Sequence, residues 1–169
     1  KGTNRKEFIN RKVNKYTWLD IGSSYIPNEI NSALLFSQLL SSEEIINRRC
    51  KLWHYYNESF EEFEKSGKLI RNKIPEFNKP NYHLYFFILP NNYMRDEFIL
   101  KMRDYDISCT SHYEPLHMSS YGKQFQTENS NLSITEKIYN RIVRLPLWPG
   151  LEKHQKFIIE KAKKILKSF

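Results

Sequence analysis

Asn81-Tyr82-His83-Leu84-Tyr85-Phe86-Phe87-Ile88-Leu89 is the stretch on which the fold turns, an aromatic and aliphatic run stopped by Pro90. Side chains of this kind suit a pleated, half-buried surface and proline cannot donate to a ladder, so residues 81–89 read as a strand. Beyond it, Asn92 to Asp104 predicts a helix with Phe98 and Met102 inward, and Ile107 to Tyr113 reads as a second strand. Strand, helix and strand within some thirty residues describe a small α/β sandwich. On the other side, Lys68 to Arg71 reads as a short strand.

Farther toward the N-terminus the period changes to that of a helix. Ile45, Arg49, Leu52, Trp53, Tyr56, Phe60 and Phe63 follow spacings of three and four, behind Ser41 and Glu44 at capping-box spacing. This predicts a long amphipathic helix that ends near Ser66-Gly67. Before it, Pro27 suits a first helical position, and Ile30, Ala33 and Leu34 fall on one face of an earlier helix. Toward the C-terminus, Ser133 and Glu136 again have capping-box spacing and introduce a helix ended by Leu145-Pro146. The last helix carries Phe157, Ile158, Ala162, Ile165, Leu166 and Phe169 on one side and lysines on the other. The organisation predicted is a basic arm with a phosphate-site loop over 1–29, connecting helices over 30–66, and a small α/β domain over 67–169.

The length, 169 residues, suits one compact domain of roughly 150 residues rather than a complete large enzyme. There are 27 Lys+Arg against 19 Asp+Glu, for a formal charge of +8. That excess sits at the two ends, where Lys1, Arg5, Lys6, Arg11, Lys12 and Lys15 face only Glu7, and six lysines after Gly150 face Glu152 and Glu160. No broad basic face is required, so nucleic acid is not the expected partner. The longest apolar run, Leu84 to Leu89, is far short of the ~20 residues of a membrane-spanning helix, and no signal peptide opens the chain. The expectation is a soluble protein with no membrane partner. Cys50 and Cys109 read as reduced thiols of a cytoplasmic protein. Because the chain begins at Lys1 and not Met, it is expected to be a piece of a longer polypeptide.

Three constellations could carry chemistry. Cys109, His112 and His117 lie close enough to attract zinc, but His83 is the only nearby fourth ligand and none of the usual paired spacings is met. No metal is expected; Cys109 reads as a small core residue, with the histidines lining a pocket or making ordinary hydrogen bonds. A thiol on a strand without an activating neighbour is also a poor nucleophile. Next, Arg5 and Lys12 beside Thr3 and Asn4 could hold the diphosphate of a small ligand, or form a solvated arm. Finally, Gly22-Ser23-Ser24 before Pro27 offers two hydroxyls beside the positive end of a helix, which makes either a phosphate site or a simple turn plus cap.

Taken together, several segments resemble the latter half of DegT-type sugar-nucleotide aminotransferases. They are Lys1-Gly2-Thr3-Asn4-Arg5, the run Tyr16-Thr17-Trp18-Leu19-Asp20-Ile21-Gly22-Ser23-Ser24-Tyr25-Ile26-Pro27-Asn28-Glu29-Ile30, Gln38-Leu39, Asn81-Tyr82-His83, His112-Tyr113-Glu114-Pro115-Leu116-His117 and Arg144-Leu145-Pro146-Leu147. They occur in the family's order across essentially the whole chain.

The resemblance implies an α+β small domain, a long helix followed by a mostly antiparallel sheet packed on helices, as in the C-terminal domain of fold-type I pyridoxal-phosphate enzymes. It also implies a missing N-terminal large domain, a homodimer partner and a dTDP-sugar substrate. By the same resemblance, Ser23, Ser24 and Tyr25 reach the cofactor phosphate of the partner subunit, with Ser24 standing where many members carry Asn. Tyr113 and His117 are implied to edge the sugar pocket; for Arg5 and Lys12 the diphosphate role rests on charge and position alone. His83 and His112 are equally well read as satisfied within the sheet. No catalytic residue is assigned. The family's Schiff-base lysine lies in an upstream Ser-x-x-x-Lys segment, and Ser119 with Lys123, which have that spacing, fall where the family has no cofactor lysine. Pyridoxal phosphate is therefore expected in the whole enzyme but not covalently on this chain. The rival expectation is a non-catalytic sugar-nucleotide-binding or interaction module of the same fold.

Overall fold

The structure, a computed structural model, describes residues 2–15, 17–23, 25–125 and 131–169. The chain folds as two units, Lys1–Ser42 and Glu43–Phe169.

In the first unit the Gly2 carbonyl accepts the Leu19 and Asp20 N–H groups at 2.7 and 3.0 Å, and Thr3 forms a single antiparallel bridge with Trp18. Only glycine suits this position, since φ is +62° and a Cβ would overlap the Asp20 carbonyl. Helix α1 (Arg5–Ile9) follows, and helix α2 (Glu29–Leu40) closes the unit. Asn28, not Pro27, starts α2: its Oδ1 accepts the Asn31 N–H at 2.9 Å, leaving Pro27 just outside the helix. The predicted apolar face of Ile30, Ala33 and Leu34 is uncovered, for no residue of α2 is buried.

The second unit opens with α3 (Ser42–Ser59), which breaks at Phe60 into α4 (Glu61–Lys65). The backbone of Ser41 still closes α2, so no gap remains for the predicted capping box. The end at Gly67 is as expected. Gly67, at φ +74°, donates to the Glu64 carbonyl and Lys68 to that of Phe63, the paired bonds of a Schellman cap. There follow β1 (Ile70–Arg71), β2 (Tyr85–Ile88), α5 (Asn92–Arg103), α6 (Ser133–Tyr139), β3 (Ile142–Leu145) and α7 (Gln155–Lys167).

The sheet has order β1-β2-β3 and is antiparallel throughout, with Ile70 opposite Ile88 and Phe86 opposite Arg144. This is the small mixed domain that the sequence implied, with three differences in the strands. Of the strand read over 81–89, only Tyr85–Ile88 forms, because residues 81–84 find no partner strand. Residues 107–113 do not form a strand; only Thr110 bridges to Arg144. The third strand is Ile142–Leu145, inside the span read as helix. There the helix stops at Tyr139, and the β-branched pair Ile142-Val143 takes up the ladder with Tyr85–Ile88 instead. Ser133 lies within α6 and makes no capping bond, while Glu136 turns to His117.

Alternation sorts the sheet into two faces. Tyr85, Phe87, Val143 and Leu145 point into one core with Leu52, Trp53, Tyr56 and Phe60 of the helix side and with Phe98 and Met102 of α5. Tyr85 stacks on Tyr56 with ring centroids 5.1 Å apart, and Phe87 meets Phe98 edge-on at 5.3 Å. Of the residues expected inward on α7, Ile158, Ala162, Ile165 and Leu166 are buried. Phe157 is not, at 46% exposed; Ile159 and Gln155 take the inner side, and Gln155 Nε2 donates to the Leu52 carbonyl at 2.6 Å. Among the described residues no helix is long and apolar enough to cross a membrane.

Candidate functional site

Two groups of residues were singled out by sequence, and each falls within one unit. In the first unit, Asn4 Oδ1 accepts the Thr17 N–H at 2.7 Å, which ties the start of α1 to the segment leading into the 20–27 loop. Arg5 therefore stands in the first turn of α1, beside that tie. Lys12 follows the helix end, where Arg11 adopts φ +57° and the Lys12 N–H reaches the Glu7 carbonyl at 2.9 Å. Arg5, Lys12, Ser23 and Tyr25 are all exposed, Tyr25 at 90%. Ser24 lies outside the described residues. What this unit offers is a set of solvated cations and hydroxyls on an arm, and among the described residues no internal hydrogen bond occupies the side chains of Ser23 or Tyr25.

In the second unit the segment 110–122 runs off the edge of β3. Thr110 exchanges both backbone hydrogen bonds with Arg144, at 3.2 and 2.7 Å, and the chain then leaves the sheet. His112 packs edge-on against Phe86 at 5.9 Å. Burial, together with the neighbouring Arg144 guanidinium, pushes the His112 pKa down, which favours the neutral imidazole. Tyr113 is 92% exposed, and His117 Nε2 lies 3.2 Å from Glu136 Oε1. A 3-10 turn over Leu116–Met118 is pinned by Ser119, whose hydroxyl donates to the Leu116 carbonyl at 2.7 Å and accepts the Gly122 N–H at 2.9 Å.

Sequence reasoning passed over Arg144. It sits opposite Phe86 on the outer face of the sheet, half-buried, and among the described residues no carboxylate pairs with it. With residues 142–145 corrected from helix to strand, the alternation Ile142, Arg144 against Val143, Leu145 is the signal that places it. Arg144, His112 and Phe86 together give one fixed cation, one neutral ring nitrogen pair and an aromatic surface, which can receive an anionic or polar group. Tyr113 and His117 flank this face along the chain; His83 is exposed and held by Asn81 Oδ1 at 2.6 Å. Cys109 is buried in the core, and burial pushes its thiol up to about 12, far from a nucleophile.

A covalent aldehyde cofactor needs an amine sheltered from solvent. Among the described residues no lysine is buried. The half-buried ones are engaged elsewhere: Lys68 donates to the Leu166 carbonyl, Lys101 and Lys163 pair with Glu97 and Glu62, and Lys161 lies over Tyr105. Lys123 is exposed on a short 3-10 turn. These residues do not fit the covalent anchor of such a cofactor; Ser23 and Tyr25 present exposed hydroxyls, a donor type that a phosphate can accept from.

Residues 2–163 match the model of the DegT/DnrJ/EryC1/StrS aminotransferase family. The chain is 28% identical over 140 residues to the protein MJ1066 of Methanocaldococcus jannaschii, covering 80% of this chain and 36% of that one. It is 24% identical over 142 residues to the dTDP-3-amino-3,4,6-trideoxy-alpha-D-glucose transaminase of Micromonospora megalomicea subsp. nigra, covering 82% and 37%. In fold it is similar to the aminotransferase TlmJ from Streptoalloteichus hindustanus, with TM-score 0.79 at 18% identity over 99% of this chain and 42% of that chain. The chain thus spans little more than a third of the length of the curated relatives it matches.

Proposed function

We propose, for a chain that belongs to the DegT/DnrJ/EryC1/StrS aminotransferase family, that it is the C-terminal part of an enzyme moving an amino group from glutamate to a dTDP-4-keto-6-deoxyhexose. The reading takes the complete enzyme to be a dTDP-4-amino-4,6-dideoxygalactose transaminase, a supplier of amino sugars to lipopolysaccharide and related surface polysaccharides, working as a cytoplasmic homodimer. The single observation that carries the reading is the match over residues 2–163. The whole-chain likeness to an aminotransferase, confined to 42% of that protein, supports it.

When bound, pyridoxal phosphate supplies the electron sink that such a transfer needs. This chain supplies binding groups. Ser23, Ser24 and Tyr25 contact the cofactor phosphate of the partner subunit, Arg5 and Lys12 neutralise the diphosphate of the substrate, and Tyr113 and His117 line the hexose. The Glu136 carboxylate orients the His117 ring toward that pocket. With its described lysines exposed or engaged, the chain alone is catalytically silent, and the amine resides in the large domain that precedes it in the complete enzyme.

The test is to incubate the chain with pyridoxal phosphate, reduce with borohydride and map modified peptides, then repeat with the chain joined to the large domain. The expected outcome is no stoichiometric pyridoxyl-lysine on the chain alone, and glutamate-dependent amination of the keto-sugar only in the joined protein. Stoichiometric labelling of one lysine within these 169 residues would overturn the reading.

A further inference from the structure

The first unit has no core: among its described residues none is buried. What holds its shape is a clasp between residues 2–4 and the segment 17–21. The Gly2 carbonyl accepts the Leu19 and Asp20 N–H groups, the Asn4 N–H donates to the Thr17 carbonyl at 3.2 Å, and Asn4 Oδ1 accepts the Thr17 N–H at 2.7 Å. Asp20 Oδ1 then takes the Ile21 N–H at 2.7 Å, which carries the order one residue farther. Beyond Ile21 the next hydrogen-bonded anchor among the described residues is the Asn28 cap of α2. Residues 22–27 thus run between two fixed points, and Ser23 stands two residues past the first of them.

Two features tie the clasp to the loop rather than to helix α1. Asn4 occupies the N-cap position of α1, where an asparagine side chain ordinarily accepts an N–H of the first turn, yet it makes no capping bond and turns to Thr17 instead. Gly2 is packed against the loop itself. At φ +62° a Cβ at this position would overlap the Asp20 carbonyl oxygen and come within 3.0 Å of the Gly22 nitrogen, so any side chain here displaces the backbone immediately before Ser23. An exposed loop samples many exit directions, and each bond of the clasp removes some of them before a ligand arrives. Order supplied in advance lowers the entropy that binding must overcome. We infer that Gly2 and Asn4 are positioning residues, which fix the exit of the 22–27 loop so that the Ser23 hydroxyl is presented to the phosphate of pyridoxal phosphate. The inference rests on the reading of Ser23 as a phosphate contact, and adds to it two residues that act through the loop without touching the cofactor.

The experiment uses the complete enzyme, with the large domain joined, stripped of cofactor and titrated with pyridoxal phosphate and with pyridoxal, which lacks the phosphate. Binding is read by visible absorbance and, for pyridoxal phosphate, by phosphorus NMR. Asn4→Ala should raise the Kd of pyridoxal phosphate roughly two- to tenfold, the weight of one hydrogen bond, and leave that of pyridoxal unchanged. Asn4→Asp keeps the oxygen acceptor and should recover most of the loss. Gly2→Ala should exceed Asn4→Ala, because it forces the loop backbone itself to move. Asn4→Gln, whose amide stands one methylene farther out, is the second variant if Gly2→Ala fails to fold, and should behave as Asn4→Ala does. Ser23→Ala tests the contact directly. If it weakens pyridoxal phosphate and Asn4→Ala does not, the inference is overturned while the contact stands; if neither does, the contact fails and the inference with it. Equal weakening of pyridoxal and pyridoxal phosphate by Asn4→Ala would also overturn it, for the clasp would then act on the fold at large.

Discussion

At Glu152 a single carboxylate shows how local geometry sets a titration. The Arg48 guanidinium donates to it at 2.8 Å and the Gly150 N–H at 2.8 Å, and the hydrogen bond from Arg48 is the main reason its pKa is drawn from 4.5 to about 2. A carboxylate whose folded pKa is depressed adds stability above its unfolded value, and that contribution disappears as pH falls from about 4.5 through about 2. Replacing Arg48 with Ala should therefore flatten the acid limb of Tm against pH in that window: the variant lies below the unaltered chain near neutrality and meets it as pH falls toward about 2, and the gap is small because both side chains are exposed. A Tm profile identical to that of the unaltered chain between those two pH values would refute the assignment. At this scale the resemblance singled out Tyr113 and His117, while the contact of His117 with Glu136 was not legible, since a Glu three residues after Ser133 looks like half of a capping box.

Among the elements, α5 is the one whose extent and inner face were both read correctly, with Phe98 and Met102 buried. Its start depends on Asn91, whose Oδ1 accepts the Met94 N–H at 2.9 Å. Asn91→Ala should cost about 1 kcal/mol in urea unfolding, and Asn91→Asp should retain most of it. The strands were less legible for a physical reason. In Asn81–Leu84 the aromatic composition promised a ladder that needs a partner, and the two-residue β1 extends only to Arg71 opposite Phe87. At Ile142–Leu145 the reverse held, because four residues behind a short amphipathic helix carry too little period to show that they leave it. Proline at 146 marked a true end, but of a strand. The Ser-x-x-Glu spacing misled at both places where it was read as a cap, Ser41/Glu44 and Ser133/Glu136, since a cap forms only where the preceding chain leaves the helix axis.

For the molecule as a whole, the division at Ser42 has energetic content. Every buried residue belongs to the second unit among those described, and the core there joins Leu52 to Leu166. A fragment comprising Glu43–Phe169 should fold cooperatively, with a Tm close to that of the full chain, as read by calorimetry and near-UV circular dichroism. Loss of the near-UV signal in that fragment would show that the first unit contributes to the core. The feature with the widest consequence is α2. Ile30, Leu34, Leu35, Phe36, Leu39 and Leu40 are between 55% and 82% exposed on a helix that hides none of its side chains. Such a segment is a greasy handle: it invites chaperone capture and detergent binding, and it caps the concentration at which the polypeptide can be handled, whatever repulsion its +8 charge provides.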